Sequence, residues 1–290
     1  MLRISLLRAA VVLAAGFIVA GCKSGGSTGP KAGCPAPDDL ISDFEQDNAL
    51  APVDGRQGGW YTYHDDVGMF LTGGANGYDI AFGAGNPNCS KDGALHLKGM
   101  GFAMWGAATG ADFKPRPPGD DGGYGPKMTY DASAYRGIAF WAKAVAPLDG
   151  VQVGFPDLYT DNAVAPHDMP DPNDPSMFIC QACTCQYAAG FPNNCSPYLV
   201  QFGRKGDAAA DTLFSGYANY QIGTDWSRFQ VLFVDTRQDP GNGGYHLPGA
   251  DRLSVDKLTA MAIQINADYS TGSPRARDFE IWIDDVTFIK

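Results

Sequence analysis

The chain has 290 residues, 44% hydrophobic and 18% charged, which is apolar mass for a sizeable core and too much for global disorder. Its net charge of −11 at pH 7 has the wrong sign for a phosphate backbone and excludes nucleic acid as a partner. Glycine (37) and proline (20) make up nearly a fifth of the residues and aromatics 12%, a composition that fits strands joined by many turns better than helices.

Residues 1–21 carry Arg3 and Arg8 and then an apolar run through Val11, Leu13, Phe17 and Val19, the pattern of a secretory signal peptide. The uncharged stretch Ala9–Gly21 is 13 residues, short of the roughly 20 that span a bilayer. Its end, Val19-Ala20-Gly21-Cys22, resembles the lipobox of bacterial lipoproteins. That resemblance implies that Cys22 is lipidated and becomes the mature N-terminus. The protein then sits in the cell envelope, at the outer membrane or cell surface, and meets the membrane only through this anchor. Residues 22–37 form a flexible Gly/Ser/Pro tether, and residues 38–290 a single domain.

With Cys22 set aside, Cys34, Cys89, Cys180, Cys183, Cys185 and Cys195 remain, an even number in an oxidising compartment. They allow three disulfides in any of 15 connectivities. The spacing of Cys180, Cys183, Cys185 and Cys195 could also hold zinc, but an exported chain with no histidine inside the cluster favours a stapled loop.

Expected strands follow in chain order at Leu40–Phe44, Ala94–Gly101, Gly137–Ala144, Gly150–Pro156, Tyr198–Phe202, Phe229–Phe233, Met261–Asn266 and Asp278–Phe288. No helical period holds over three turns, and Val255–Ala262 offers one or two at most. Two long loops, Gly106–Asp131 and Tyr159–Pro197, separate these strands. The pattern is all-β: short strands joined by long loops, as in a sandwich or a barrel.

The ends of the domain carry a family resemblance. Ile41-Ser42-Asp43-Phe44-Glu45, Gly59-Trp60-Tyr61-Thr62-Tyr63 and the closing Ile283-Asp284-Asp285-Val286 resemble jelly-roll carbohydrate-binding modules of the galactose-binding-like type. Tyr130–Lys143 and Thr224–Phe229 look like two further strands of that family, in the right order. The resemblance implies a jelly-roll β-sandwich of two antiparallel sheets, binding of poly- or oligosaccharide such as β-glucan, and a structural calcium held by Glu45 with Asp284 and Asp285. Adjacent carboxylates beside an apolar strand repel, and a hard cation removes that cost. Which aspartate binds is open, because a strand points neighbours to opposite faces. No catalytic domain follows, so surface capture or envelope association is expected instead of polysaccharide breakdown.

A sugar site needs flat apolar rings and planar amides. Trp60, Tyr61 and Tyr63 lie in a glycine-rimmed segment that reads as a loop or an irregular edge, and Trp105 stands at the mouth of the first long loop. Alternation turns Gln152 outward with Asp157 close behind, and turns Gln264 and Asn266 outward on the next amide-bearing strand. These eight residues are the expected ligand site, with His64-Asp65-Asp66 in the adjoining loop. Trp141, Trp226 and Trp282 are expected inside the sandwich, and the acidic run His167–Asp174 as a solvated turn.

The alternatives are a structural or adhesive envelope protein that binds another protein, and a glycan-active hydrolase or lyase. Asp112, Asp120, Asp121, Asp157 and Asp161 offer carboxylates for a glycosidase pair. The sequence has no Gly-x-Ser-x-Gly, H-E-x-x-H or P-loop, and no catalytic residue is assigned.

Overall fold

The computed structural model describes residues 34–36, 39–45, 50–89, 92–120, 122–161, 163–165, 168–171, 174–180, 198–202, 221–238, 252–268 and 273–290. The leader, the lipobox cysteine, most of the tether and Cys183, Cys185 and Cys195 lie outside them.

Fifteen strands are described: β1 (Leu40–Ser42), β2 (Trp60–His64), β3 (Met69–Phe70), β4 (Asp79–Ile80), β5 (Leu95–Phe102), β6 (Gly106–Asp112), β7 (Gly137–Ala144) and β8 (Val151–Phe155). They continue with β9 (Asp168–Asp171), β10 (Asp174–Cys180), β11 (Tyr198–Phe202), β12 (Ser227–Leu232), β13 (Arg237–Gln238), β14 (Ala260–Asn266) and β15 (Arg277–Ile289). Among the described residues there is no α-helix; residues 255–257, where one or two helical turns were expected, form a single 3-10 turn.

The strands build the expected jelly-roll sandwich of antiparallel sheets. One sheet has seven strands in the order β12-β7-β15-β5-β3, with β1 on β15 and β4 on β5. The other has six in the order β13-β11-β8-β14-β6-β2. A separate β9–β10 ladder occupies the segment expected as a solvated acidic turn.

Alternation on β5 and β14 follows the sequence: Leu95 and Leu97, and Met261, Ile263 and Ile265, point into the core between the sheets. Each such side chain contributes on the order of 1.5–3 kcal/mol by leaving water. Strand β15 begins in the same phase with Phe279, Ile281 and Ile283 inward, then a bulge at Asp284–Asp285 shifts the phase so that Val286 and Phe288 face the core. Asp285 takes φ +49° to make that bend.

The sequence pattern is silent on β6. Gly106-Ala107-Ala108-Thr109-Gly110-Ala111-Asp112 has no polar–apolar alternation and reads as loop, yet it forms a strand whose residues are all buried. Strand β2, in the segment expected as a loop or an irregular edge, is an edge strand of the six-stranded sheet. The three tryptophans expected inside also differ: Trp141, Trp226 and Trp282 are only half-buried. Their stretch of the seven-stranded sheet turns outward, with Trp282 stacked on His96 at 4.6 Å between ring centres and Lys143 lying over both Trp282 and Trp226.

Candidate functional site

Pairing across the six-stranded sheet determines which residues share its outer face. Tyr63 is opposite Ala108, Ala108 opposite Gln264, and Gln264 opposite Gln152. One row further on, Tyr61 is opposite Gly110, Gly110 opposite Ala262, and Ala262 opposite Gly154. Directly opposed residues point the same way. The first row therefore has a ring at one end and two amides at the other, about 10 and about 14 Å from it at the usual strand spacing. The second row has a floor of small residues. The result is a trough walled by Tyr61, Tyr63 and Trp105 on the β2 side and by Gln264 and Asn266 on the other, with Gln152 buried beside them at 5% exposure.

The three rings form a continuous series: Tyr61 and Tyr63 are 6.0 Å apart, and Tyr63 and Trp105 5.7 Å. Glycine at position 110 matters here, because a Cβ there would lie 3.0 Å from the ring and hydroxyl of Tyr61. Its absence lets that ring lie down across the neighbouring strand. On the amide wall, Gln264 Nε2 donates to Asn266 Oδ1 at 2.7 Å, which fixes both planes.

A cation underlies the Tyr61 end. Lys127 Nζ stands 2.9 Å from Asp112 Oδ1 and 3.2 Å from Asp161 Oδ2, donates to the Tyr61 hydroxyl at 3.1 Å, and lies 5.4 Å from the centre of its ring. Burial works against the ammonium charge, but Asp161, Tyr61 and Asp112 outweigh it and hold Lys127 above its ordinary range. Burial likewise raises the Tyr61 phenol, against the pull of Lys127, so the hydroxyl stays protonated at neutral pH. Asp112 and Asp161 were candidate glycosidase carboxylates; both are committed to this lysine, and Asp161 also accepts from the Thr259 hydroxyl at 2.6 Å.

Of the eight expected ligand residues, six meet on this face: Tyr61, Tyr63, Trp105, Gln152, Gln264 and Asn266. Trp60 does not. It alternates with Tyr61, so its ring enters the core, 3% exposed and 5.3 Å from Phe44. Asp157 does not either: it is buried, and its carboxylate accepts from the amides of Tyr159, Thr160 and Ser254 and from the Thr160 hydroxyl. That is a loop-closing role. Lys127 and Gly110 were missed. Lys127 lies far along the chain from the residues it joins, and no local pattern marks it.

The expected ion-binding residues lie elsewhere, beside the β15 bulge. Asp284 and Asp285 are both buried, and Asn86 bridges them: its backbone N–H donates to Asp284 Oδ2 at 2.8 Å and its side-chain Nδ2 to Asp285 Oδ2 at 3.0 Å. The bulge is what brings both neighbours to one partner. Burial first, and the Asp285 charge second, push Asp284 up to about 8. Two buried carboxylates carrying that electrostatic cost fit a hard cation. Glu45 fits less directly, because its carboxylate faces the amides of Asp92 and Gly93. Among the described residues, no group of three His, Cys, Asp or Glu side chains is arranged to hold a metal. The loop that presents Asn86 is tied down by a Cys34–Cys89 disulfide, one of the expected set. Of the other four cysteines, only the backbone of Cys180 is described.

The sequence matches no protein-family model and no curated protein. Solved structures similar to the chain include a family 11 carbohydrate-binding module from Clostridium thermocellum in complex with a β-1,3-1,4-mixed-linked tetrasaccharide, at 11% identity and TM-score 0.43, covering 87% of this chain and 94% of that one. A family 30 carbohydrate-binding module of a cellulosomal cellulase of the same bacterium is similar at 13% identity and TM-score 0.35, covering 80% of this chain and 97% of that one. The agarase AgWH50C is similar at 10% identity and TM-score 0.36, covering 87% of this chain and 26% of that one.

Proposed function

We propose that the trough on the six-stranded sheet binds a poly- or oligosaccharide chain without catalysis, on a protein anchored to the cell envelope through lipid at Cys22. The observation that supports this reading is the opposition of Tyr61, Tyr63 and Trp105 to Gln152, Gln264 and Asn266 across a floor of Gly110, Ala262 and Gly154. Ring faces take the C–H faces of pyranose units, and planar amides pair with their hydroxyls. Glycosidase chemistry needs two carboxylates, one free to protonate a leaving group and one to attack or activate water. Here the two at the rim neutralise one lysine, which supports binding over turnover. A structural calcium at Asp284 and Asp285 belongs to the same proposal and lies away from the sugar face.

The test is an array of poly- and oligosaccharides probed with the wild type and with Tyr63→Ala. Tyr63 is 40% exposed, so its loss leaves the fold intact while lowering affinity about tenfold, the order expected for one aromatic contact. A folded wild type that binds no glycan on the array overturns the proposal.

A further inference from the structure

Strands β2 and β3 belong to different sheets, and so do β5 and β6. Both connections therefore cross from one layer of the sandwich to the other, and one buried side chain holds them together. Asp65, 1% exposed, follows β2 directly. Its Oδ1 accepts from the amides of Val67 at 3.1 Å and Gly68 at 2.9 Å, in its own crossing. Its Oδ2 accepts from Met104 at 2.9 Å and Gly106 at 3.1 Å, in the other. Its own N–H donates to Gly106 O at 2.9 Å. The two amides on Oδ2 flank Trp105, so the carboxylate grips the backbone on both sides of that residue.

The rest of the crossing leaves Trp105 little freedom. Gly106 adopts φ +116°, and a Cβ there would lie 2.0 Å from Ile265 O, so the chain presses directly on β14. Ala267 N donates to Trp105 O at 3.3 Å. Burial disfavours the Asp65 anion, but the four amides outweigh it and keep the carboxylate ionised, which is the form able to accept all four. Four charge-assisted hydrogen bonds are more than a turn needs.

We propose that Asp65 is a positioning residue: it sets the Trp105 ring in line with Tyr63 and so completes the aromatic wall of the trough. This rests on the sugar-binding reading for its consequence, and on the bracket of amides for its geometry. Asp65→Asn keeps the shape but offers one acceptor where two pairs of amides converge, so the Trp105 side of the bracket opens.

The experiment is a cycle on the full chain of wild type, Asp65→Asn, Trp105→Ala and the double variant, with soluble mixed-linkage β-glucan as the probe. Acrylamide quenching of Trp105, taken as the difference from Trp105→Phe, is read alongside. Asp65→Asn is expected to weaken glucan binding about tenfold and to raise quenching, and the double variant to bind no more weakly than Trp105→Ala alone. Losses that add, or an Asp65→Asn variant with unchanged quenching, overturn the proposal. Absence of glucan binding by the wild type counts against the sugar reading, and quenching then decides the positioning role by itself. If Asp65→Asn does not fold, Asp65→Glu takes its place, retaining the charge on a side chain too long to meet all four amides.

Discussion

The Asp284–Asp285 pair gives the sharpest quantitative prediction. Asp284 titrates near 3.8 in the unfolded chain and near 8 in the fold, because burial and the Asp285 charge disfavour its ionised form. The folded pKa is raised, so between those values the native state holds a proton that the unfolded state has released, and stability falls as pH rises. The slope is at most about 1.4 kcal/mol per pH unit, and the accumulated cost by pH 8 is on the order of 5 kcal/mol. Below pH 4 the cost is absent. Against a total stability of about 5–15 kcal/mol, an ion-free protein at pH 8 is heavily compromised.

Asp284→Asn removes the ionisation. It also leaves one acceptor oxygen where the amides of Asn86 and Asp285 both donate, a pH-independent loss of about 1–3 kcal/mol. In chelator the variant is therefore the less stable protein at pH 3–4 and the more stable at pH 8, with the curves crossing at roughly pH 5–6. Urea unfolding at half-unit pH steps measures this, and taking the difference between the two proteins cancels other groups such as Asp157, which burial also raises. Calcium offsets the variant's lead of about 2–4 kcal/mol at pH 8 and reverses the order near saturation: a bound ion adds about 2.7 kcal/mol to the wild type alone at a hundred times its dissociation constant and about 4.1 kcal/mol at a thousand times. Parallel profiles from pH 4 to 8 in chelator would refute the electrostatic argument, and a wild type indifferent to calcium at pH 8 would refute the ion site.

Three other outcomes follow from the same structure. Lys127→Met strands Asp112 and Asp161 together in a buried place and should cost about 3–5 kcal/mol in urea unfolding, a deficit largely recovered by adding Asp112→Asn and Asp161→Asn. Because Lys127 is held above its ordinary value, its own contribution in the wild type persists through neutral pH and is lost only in strong alkali. Replacing Cys34 and Cys89 with serine reopens a 55-residue separation and should lower stability by about 4 kcal/mol on a loop-entropy estimate, with calcium affinity falling too because Asn86 sits in the released loop. Gly110→Ala should weaken sugar binding while leaving thermal stability nearly unchanged, since the new methyl group meets the Tyr61 ring and no backbone; a large drop in melting temperature would mean that the ring has no room to lift.

How far the sequence could be read depended on whether a residue's partner is set by local periodicity. Strands β7 and β11 were legible to the residue, and β5, β8, β12, β14 and β15 within a few, because alternating or continuous apolar runs mark half-buried or buried strands. The same alternation turns Gln152, Gln264 and Asn266 to the outer face of the sheet, although Gln152 is buried there. At Trp60–His64 the surrounding glycines mask it and read as a loop or an irregular edge, although period two there separates Tyr61 and Tyr63 from Trp60 and sends the tryptophan to the core. Strand β6 carried no such signal at all. Its small residues are dictated by what lies across them, Tyr61 over Gly110 and the backbone of β14 against Gly106, and those contacts are long-range.

The two aspartate sites show the limit from opposite directions. Asp284-Asp285 stands out in the sequence as adjacent carboxylates, but strand geometry alone says that neighbours diverge. Only the bulge, made by a positive φ at Asp285, turns them to the same asparagine. Asp65 looked like part of an exposed ligand loop because His64-Asp65-Asp66 is polar and adjoins aromatic residues. In the fold the adjacency survives and the role inverts: the carboxylate faces inward to four amides, and the ring it serves, Trp105, comes from a different crossing 40 residues away in sequence. Rings and amides that meet the ligand are surface features of strands, and alternation finds them. The charges that hold those rings in place, Asp65 and Lys127, satisfy themselves across the sandwich, and only the folded pairing reveals them.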